Sequence, residues 1–238
     1  MILVALDTCD ARGSVAVLQD NSVLQEAIHE SAEEYSCWLL PAVDGVLKAA
    51  GVKLKDVEVY AAASGPGSFT GVRVGLTTVK AWGEAYGRPI AAVSRLEAVA
   101  AESAESTPFV AAIVDAHREQ VFAALYRKDA RGLTRIGEEM AIAPRELVEW
   151  VGQRVDSQQV TWVSPDLERM AVEGAWVARV KAGDRGVSVE AKFAASIGKI
   201  AYRKALEGKL TDALAVDANY VRRTDAEVFW KGGAGHGG

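Results

Sequence analysis

Leu3-Val4-Ala5-Leu6-Asp7 is an apolar run that ends on an acidic residue, and a short polar turn separates it from Ser14-Val15-Ala16-Val17-Leu18. The same order returns in the second half of the chain, where Ala111-Ala112-Ile113-Val114-Asp115 precedes Val121-Phe122-Ala123-Ala124-Leu125. Short apolar runs of this kind are typical of buried strands. The repeat indicates an internal duplication at the scale of a domain. Coincidence is the alternative, because strand, Asp, turn and strand often follow one another.

Around this repeat, predicted strands alternate with predicted helices, which is typical of the α/β class. The polar stretch from Glu102 to Pro108 is a candidate domain boundary. We therefore expect a first domain over residues 1–106, a second over 107–231 and a flexible glycine-rich tail over 232–238. In the second domain the patterns predict a strand over 133–142, a helix over 145–151, strands over 160–163 and 176–180, and a helix over 190–206.

Composition places the chain among ordinary globular proteins. It has 238 residues, of which 50% are hydrophobic and 25% are charged, with a net charge of −5. That balance excludes a disordered or disulfide-framework protein. A protein that binds nucleic acid by itself usually carries a basic surplus, so the charge argues against autonomous tRNA or DNA binding. The two cysteines are predicted to be reduced, and no targeting or membrane-spanning segment is apparent, which favours a cytoplasmic location.

The segment Gly65-Pro66-Gly67-Ser68-Phe69-Thr70-Gly71-Val72-Arg73-Val74-Gly75 leads into a predicted helix over residues 72–86. A glycine-rich turn at a helix N-terminus can bind an anion. It is not a P-loop, because no Lys-Ser/Thr pair follows the last glycine of the turn. It also departs from the dinucleotide and nucleophile-elbow patterns. The structural alternative is a tight turn with Ser68 or Thr70 as N-cap, in which Gly71 and Gly75 let another backbone approach closely.

Two acidic residues end the repeated strands. Asp7 and Asp115 could face a cleft between the halves and hold a hydrated magnesium ion beside a nucleotide, with Thr8 and Ser68 nearby. Alternatively, each carboxylate caps its own turn. No glycine follows either Asp closely, as a phosphate would require, so these four residues are interpreted as a vestigial nucleotide cleft. The histidines are isolated and no nucleophile–base pair is apparent, so no metal, cofactor or catalytic residue is predicted.

The first long helix, predicted over residues 35–50, and the second, over 72–86, carry apolar residues on more than one face. Such a helix is either buried on all sides or also contacts a partner. Both interpretations stay open on the pattern alone.

Several of these stretches resemble the bacterial TsaB (YeaZ) family. They are the opening residues 2–8, Leu39-Leu40-Pro41, the whole segment 65–75, Ala112-Ile113-Val114-Asp115-Ala116 and Tyr220-Val221-Arg222. The resemblance runs from residue 1 to about residue 230. It implies the ASKHA (actin-like ATPase) fold, which consists of two ribonuclease H-like halves, as in actin, Hsp70 and sugar kinases.

The resemblance also implies a function. Members of this family support the formation of N6-threonylcarbamoyladenosine (t6A) next to the anticodon of tRNA. The family's subunit is non-catalytic: it heterodimerises with TsaD, which binds the metal and transfers the threonylcarbamoyl group, and with it recruits the ATPase TsaE. Alone it is expected to form a homodimer, to contact tRNA only through the complex, and to have no membrane partner.

In TsaD the first long helix carries a His-x-x-x-His metal motif, whereas this chain has Tyr35-Ser36-Cys37-Trp38-Leu39 there. In the family the two long helices form a helical bundle with the partner. The resemblance therefore implies that the interface consists of the following residues of the two helices: Tyr35, Trp38, Leu39, Leu40, Val43, Gly71, Val72, Gly75, Val79 and Trp82.

Two other functions are weighed against the scaffold. An ATP-dependent small-molecule kinase of the same fold is compatible with Asp7 and Asp115 but lacks the phosphate-binding glycines. A metalloprotease would need paired histidines, which the sequence lacks. Without a nucleotide to bridge the cleft, we further expect the second half to be less tightly tied to the first than in an ATP-using kinase.

Overall fold

The computed structural model describes residues 1–30, 33–104, 107–130, 132–213, 215, 217–219 and 221. Its first sheet has the order β3-β2-β1-β4-β5, in which β1 pairs antiparallel with β2 and parallel with β4. The outer pairs are antiparallel β2–β3 and parallel β4–β5. The five strands are β1 (Ile2–Asp7), β2 (Gly13–Gln19), β3 (Ser22–His29), β4 (Val59–Ala63) and β5 (Ile90–Val93).

The second sheet repeats this arrangement with the order β10-β9-β6-β7-β8. Here β6 pairs antiparallel with β7 and parallel with β9, as β1 does with β2 and β4. The strands are β6 (Phe109–Asp115), β7 (Val121–Asp129), β8 (Gly132–Ile142), β9 (Val160–Ser164) and β10 (Arg185–Ser188). The predicted duplication is confirmed, and the α/β architecture is the two-halved ASKHA fold.

Seven α-helices connect and cover the sheets in the described part of the chain: α1 (Tyr35–Ala49), α2 (Phe69–Tyr86), α3 (Arg95–Ala101), α4 (Pro144–Gly152), α5 (Glu168–Ala171), α6 (Gly174–Lys181) and α7 (Ala194–Leu206). The Ser94 hydroxyl accepts a bond from the Glu97 amide and starts α3, as the capping-box pattern predicts. α2 starts earlier than expected because Ser68 caps it. It ends at Gly87, whose left-handed φ of 61° suits glycine.

One predicted element is wrong. Residues 176–180, expected to be a strand, belong to α6, and the strand at the sheet edge is β10 instead. Trp176 and Val180 are four residues apart and so share a helix face, and the Trp176 ring is buried in the core of the second half. A short apolar run cannot by itself distinguish a strand from a buried helix.

The central strands of the second sheet are buried on both faces. On β6, Phe109, Ala111 and Ile113 point into a core of the second half, whereas Val110, Ala112 and Val114 point into a core shared with the first half. α3, from the first half, packs on β6, β7 and β8. One continuous apolar core therefore includes residues of both sheets, and the expected looser tie than in an ATP-using kinase stays a prediction.

Helix α7 differs from the expected domain division. The chain returns after the second sheet, and α7 packs on β1, β2, β4 and β5 of the first sheet. Its buried residues Ala194, Ile197 and Ala201 follow helical spacing and cover that face. α7 was expected within the domain over 107–231 but lies against the first. The predicted tail over 232–238 lies outside the described residues.

None of the helices in the described part of the chain has the length and apolar character that crossing a membrane requires.

Candidate functional site

A cleft of about 870 Å³ opens between the β1–β2 turn, the N-terminus of α2 and the strand ends of the second half. Both halves contribute polar and aromatic side chains to it. Those that enter the argument below are Asp10, Arg12, Tyr35, Ser68, Phe69, Arg95, Asp115, His117, Asp166 and Asn219. The cleft therefore lies where the sequence places the ends of the two repeated strands.

Asp7 lies behind the cleft wall and is fully buried. One carboxylate oxygen accepts a bond from the amide of Cys9 at 3.0 Å, as the turn-capping alternative predicts. The other accepts a bond from Nε of Arg95 at 3.3 Å. Both oxygens are thus bound by the chain itself. Burial also raises the pKa of the Cys9 thiol, with the neighbouring Asp7 charge adding to the effect.

Arg95 starts α3 and is itself buried. Burial alone would lower the pKa of its guanidinium group, but the charge of Asp7 and then those of Cys9 and Asp10 raise it. Arg95 therefore stays charged and neutralises the buried carboxylate. An ionised carboxylate is tolerated in a protein interior only when it is paired in this way.

The network continues towards solvent. Asp10 accepts bonds from Nη2 of Arg95 at 3.4 Å and from Nη2 of Arg12 at 2.8 Å. Burial would raise the pKa of Asp10, but Arg95 and Arg12 lower it overall. Arg12 Nη2 also donates to Asp166 of the second half at 2.8 Å. Opposite charges alternate from the floor of the cleft to its mouth.

The glycine-rich turn packs on the β1–β2 turn. The Ser68 amide donates to the Cys9 carbonyl at 2.7 Å, and the Thr8 hydroxyl donates to the Gly71 carbonyl at 2.7 Å. A Cβ at Gly71 would overlap the Thr8 carbonyl oxygen, and one at Gly75 would lie 2.6 Å from the Thr8 hydroxyl. The close approach that these glycines allow is therefore made by the chain's own β1–β2 turn.

Asp115 is placed differently from Asp7. It lines the cleft, and 16% of its side chain is exposed. It accepts bonds from the His117 amide at 2.9 Å and from Nη2 of Arg169 at 2.7 Å. Of the four residues expected in a vestigial cleft, Asp115 and Ser68 line the cavity. Thr8 and Asp7 lie buried beneath it.

The expected partner residues divide into three groups. Six are buried within the chain, so they are corrected to internal packing residues: helical periodicity turns Leu39, Val43, Gly71, Val72, Gly75 and Val79 towards the chain's own sheet. Leu40, by contrast, has 57% of its surface exposed. Tyr35, Trp38 and Trp82 are half-buried. The surface that α1 and α2 offer a partner is thus narrower than the sequence predicts.

Tyr35 also connects α1 to the cleft. Its hydroxyl donates to the Asp10 carbonyl at 2.5 Å, and its ring contacts the ring of His29 at a tilt and that of Trp38 edge to face. Burial raises the pKa of this hydroxyl. Trp82, on α2, packs on Tyr60. Both residues have internal contacts besides any that a partner provides.

Four residues of the network were not predicted from the sequence: Arg95, Arg12, Asp10 and Asp166. One signal was present for Arg95: it lies four residues before the apolar Val99, on the buried face of α3. The other three lie in turns, where periodicity gives no information. In the part of the chain that the structure describes, no group of three metal-ligating side chains comes together.

Comparison with known proteins assigns the family. A family model described as "TsaD: tRNA N6-adenosine threonylcarbamoyltransferase" matches residues 22–225. The tRNA threonylcarbamoyladenosine biosynthesis protein TsaB of Bacillus subtilis is 35% identical over 127 residues, which are 53% of this chain and 56% of that protein. The match to that relative thus spans little more than half of its length.

Two further matches are broader. TsaB of Escherichia coli K12 is 31% identical over 163 residues, which are 68% of this chain and 70% of that protein. The structure of YeaZ from Pseudomonas aeruginosa superposes with a TM-score of 0.74 at 26% identity, covering 92% of this chain and 99% of that one. These matches extend over both halves, and this chain therefore belongs to the TsaB (YeaZ) family, whose relatives are named as tRNA threonylcarbamoyladenosine biosynthesis proteins.

Proposed function

We propose that this chain is a non-catalytic scaffold subunit in t6A formation. In this role it heterodimerises with TsaD, recruits TsaE and so supports threonylcarbamoyl transfer to the adenosine next to the anticodon of tRNA. Family membership supports the pathway. The observation that carries the scaffold role is the engagement of Asp7 by Arg95, since this buried pair occupies the polar floor of the cleft with the chain's own groups.

The contacts around the cleft weigh against a phosphate site at α2. The Gly71 amide is bound by the Ser68 hydroxyl, and the turn over residues 8–12 packs directly on the helix start. An anion at a helix N-terminus needs these amides to be free. The alternative, an ATP-dependent kinase-like enzyme of the same fold, is favoured by one feature, the partly exposed Asp115 that lines the cleft.

We place the TsaD-binding surface on the outward faces of α1 and α2. Leu40 on α1 is a large apolar side chain exposed to solvent, and Phe69, at the start of α2 where it also lines the cleft, is another. A second copy of the chain covers the same surface when TsaD is absent. With a net charge of −5, contact with tRNA is made through the complex. The site of action is the cytoplasm, with no membrane partner.

The first experiment reconstitutes t6A formation from TsaD and TsaE of the same organism, threonylcarbamoyl-AMP and tRNA. We expect modification to require this chain and to persist with the Asp115→Ala variant. Steady ATP turnover by the chain alone, lost in Asp115→Ala, would instead support the kinase-like alternative. Loss of t6A in Asp115→Ala with TsaD binding intact would contradict the scaffold role.

The second experiment tests the surface with Leu40→Asp. Truncating a hot-spot residue at the centre of an interface costs about 2 kcal/mol or more, and a buried charge costs more, so TsaD binding should weaken at least about tenfold if Leu40 is such a residue. Val172→Asp is the matched control, since Val172 is 83% exposed in the second half. Melting of both variants should match the parent chain. A charged substitution at Val79 cannot test the surface, because that side chain is buried and the change would destabilise the fold. Unchanged TsaD affinity in Leu40→Asp would remove α1 from the interface.

A further inference from the structure

An ion pair joins the two halves across the mouth of the cleft. Arg12, in the β1–β2 turn of the first half, donates from Nη2 to Oδ1 of Asp166 at 2.8 Å. Asp166 follows β9 in the second half. The pair therefore links the first sheet to the second on the side of the molecule where the cleft opens.

Each partner also has contacts within its own half. Arg12 donates to Asp10 as well, and Asp10 in turn contacts Arg95. On the other side, the Asp166 amide donates to the Ser164 hydroxyl at 2.9 Å, and its Oδ2 accepts a bond from the Asp115 amide at 3.3 Å. Prior fixing of the two side chains reduces the entropy that an ion pair normally loses when it forms.

The pair is also within reach of solvent. Arg12 is 45% exposed and Asp166 is 12% exposed. Attraction between such charges weakens with ionic strength, because the screening length falls from about 30 Å at 0.01 M to about 3 Å at 1 M. A contact of this kind is reversible under mild conditions, unlike the buried pair between Arg95 and Asp7 beneath it.

The fold limits what the contact can control. Away from the cleft the halves share an apolar core, because α3 packs on the second sheet. Ser94 at the start of α3 donates to Glu139 of β8 at 2.5 Å, and Asn219 donates to the other oxygen of Glu139 at 2.6 Å. The shared core and these bonds therefore limit how far the halves can separate at the cleft.

We propose that the Arg12–Asp166 pair is a salt-sensitive latch that sets the width of the cleft and holds the two halves together at its mouth without a bound ligand. A nucleotide that bridges two halves supplies differential contacts to the closed state. In this chain the side chains of Arg12 and Asp166 supply the contacts that favour the closed state. The inference concerns the chain alone and does not depend on TsaD binding.

The test measures the cleft width directly with a spin label on each half. Cys37 on α1 is exposed and takes one label, Val172→Cys after α5 takes the other, and the buried Cys9 stays unlabelled. Pulsed electron–electron distance measurements then compare the parent chain with Arg12→Met, which keeps the aliphatic length but removes the charge. We expect Arg12→Met to give a longer mean distance and a broader distribution at low salt.

The parent chain should shift in the same direction between about 0.01 M and about 1 M salt, while Arg12→Met stays unchanged by salt. Arg145→Met removes an exposed arginine paired with Glu149 on α4 and should behave as the parent. Asp166→Asn should give the same distribution as Arg12→Met, and combining the two should add nothing. Equal distances in the parent and Arg12→Met would overturn the latch. So would a parent cleft that closes further with magnesium-ATP, because closure would then come from the nucleotide.

Discussion

The two halves of the molecule share one strand order, but the acidic residue at the end of the first strand is buried in one half and partly exposed in the other. Asp7 is fully buried, and its oxygens are bound by the Cys9 amide and the buried Arg95. Asp115 is 16% exposed and is held by Arg169, whose side chain is 48% exposed. The backbone is repeated, but the carboxylate is internal in one half and a cleft residue in the other.

The difference follows from what covers each strand end. Over the end of β1, the start of α2 packs closely on Thr8, and Asp7, Thr8 and Cys9 are buried. At the end of β6, the following turn stays at the cleft surface, and His117 is largely exposed. A carboxylate removed from water needs a charged partner, whereas one in contact with water does not. The halves therefore differ in how much of their stability depends on one side chain.

Removing that partner gives the largest expected effect. Arg95→Met leaves Asp7 buried without a cation, and breaking a buried pair in this way costs about 3–5 kcal/mol. The equivalent change in the second half, Arg169→Met, breaks an exposed pair and should lower the free energy of unfolding by less than about 1 kcal/mol. Urea denaturation of both variants measures the two values. Equal losses would show that the strand ends are energetically alike despite their different burial.

A second pair of substitutions extends the comparison to the helices. Gly71→Ala in α2 places a methyl group against the Thr8 carbonyl, and overpacking of this kind costs about 1–3 kcal/mol. Gly45→Ala in α1 meets no atom within 4 Å and should stabilise by up to about 1 kcal/mol, since alanine favours a helix. Thermal melting distinguishes the two. Destabilisation by Gly45→Ala, or none by Gly71→Ala, would contradict the view that only α2 is packed tightly at its glycine.

The comparison also shows which features a sequence reveals. The repeat of strand, Asp, turn and strand predicted the duplication, because a buried strand must be a continuous apolar run. The capping pattern at Ser94 predicted the start of α3, since it depends on contacts three residues apart. Both signals are local, and the structure confirms both.

Features that depend on distant contacts were missed or misjudged. The return of α7 to the first sheet joins residues far apart along the chain, and helical periodicity does not say which sheet a helix covers. The prediction of the six interface candidates that are buried had the same limit, because an apolar helix face can pack on an internal sheet as well as on a partner. The Arg12–Asp166 contact joins two turns that carry no pattern at all.

The smallest expected effect concerns the pH dependence of the first half. Burial would raise the pKa of Asp10, but Arg95 and Arg12 hold it below its ordinary value of 3.8. A carboxyl group whose pKa is lower in the folded state stabilises the fold above its unfolded pKa, and the stabilisation is lost as the pH falls through the folded value. Asp10→Asn should therefore flatten the loss of stability below about pH 4. We expect a difference under about 1 kcal/mol, because the side chain is 26% exposed. Urea unfolding at pH values from about 2 to 6 measures it, with Asp44→Asn, in an exposed pair with Lys48, as the control for removing one surface charge. If the stability of Asp10→Asn fell as steeply with acid as that of the parent chain, Arg95 and Arg12 would stabilise Asp7 and Asp166 but not Asp10.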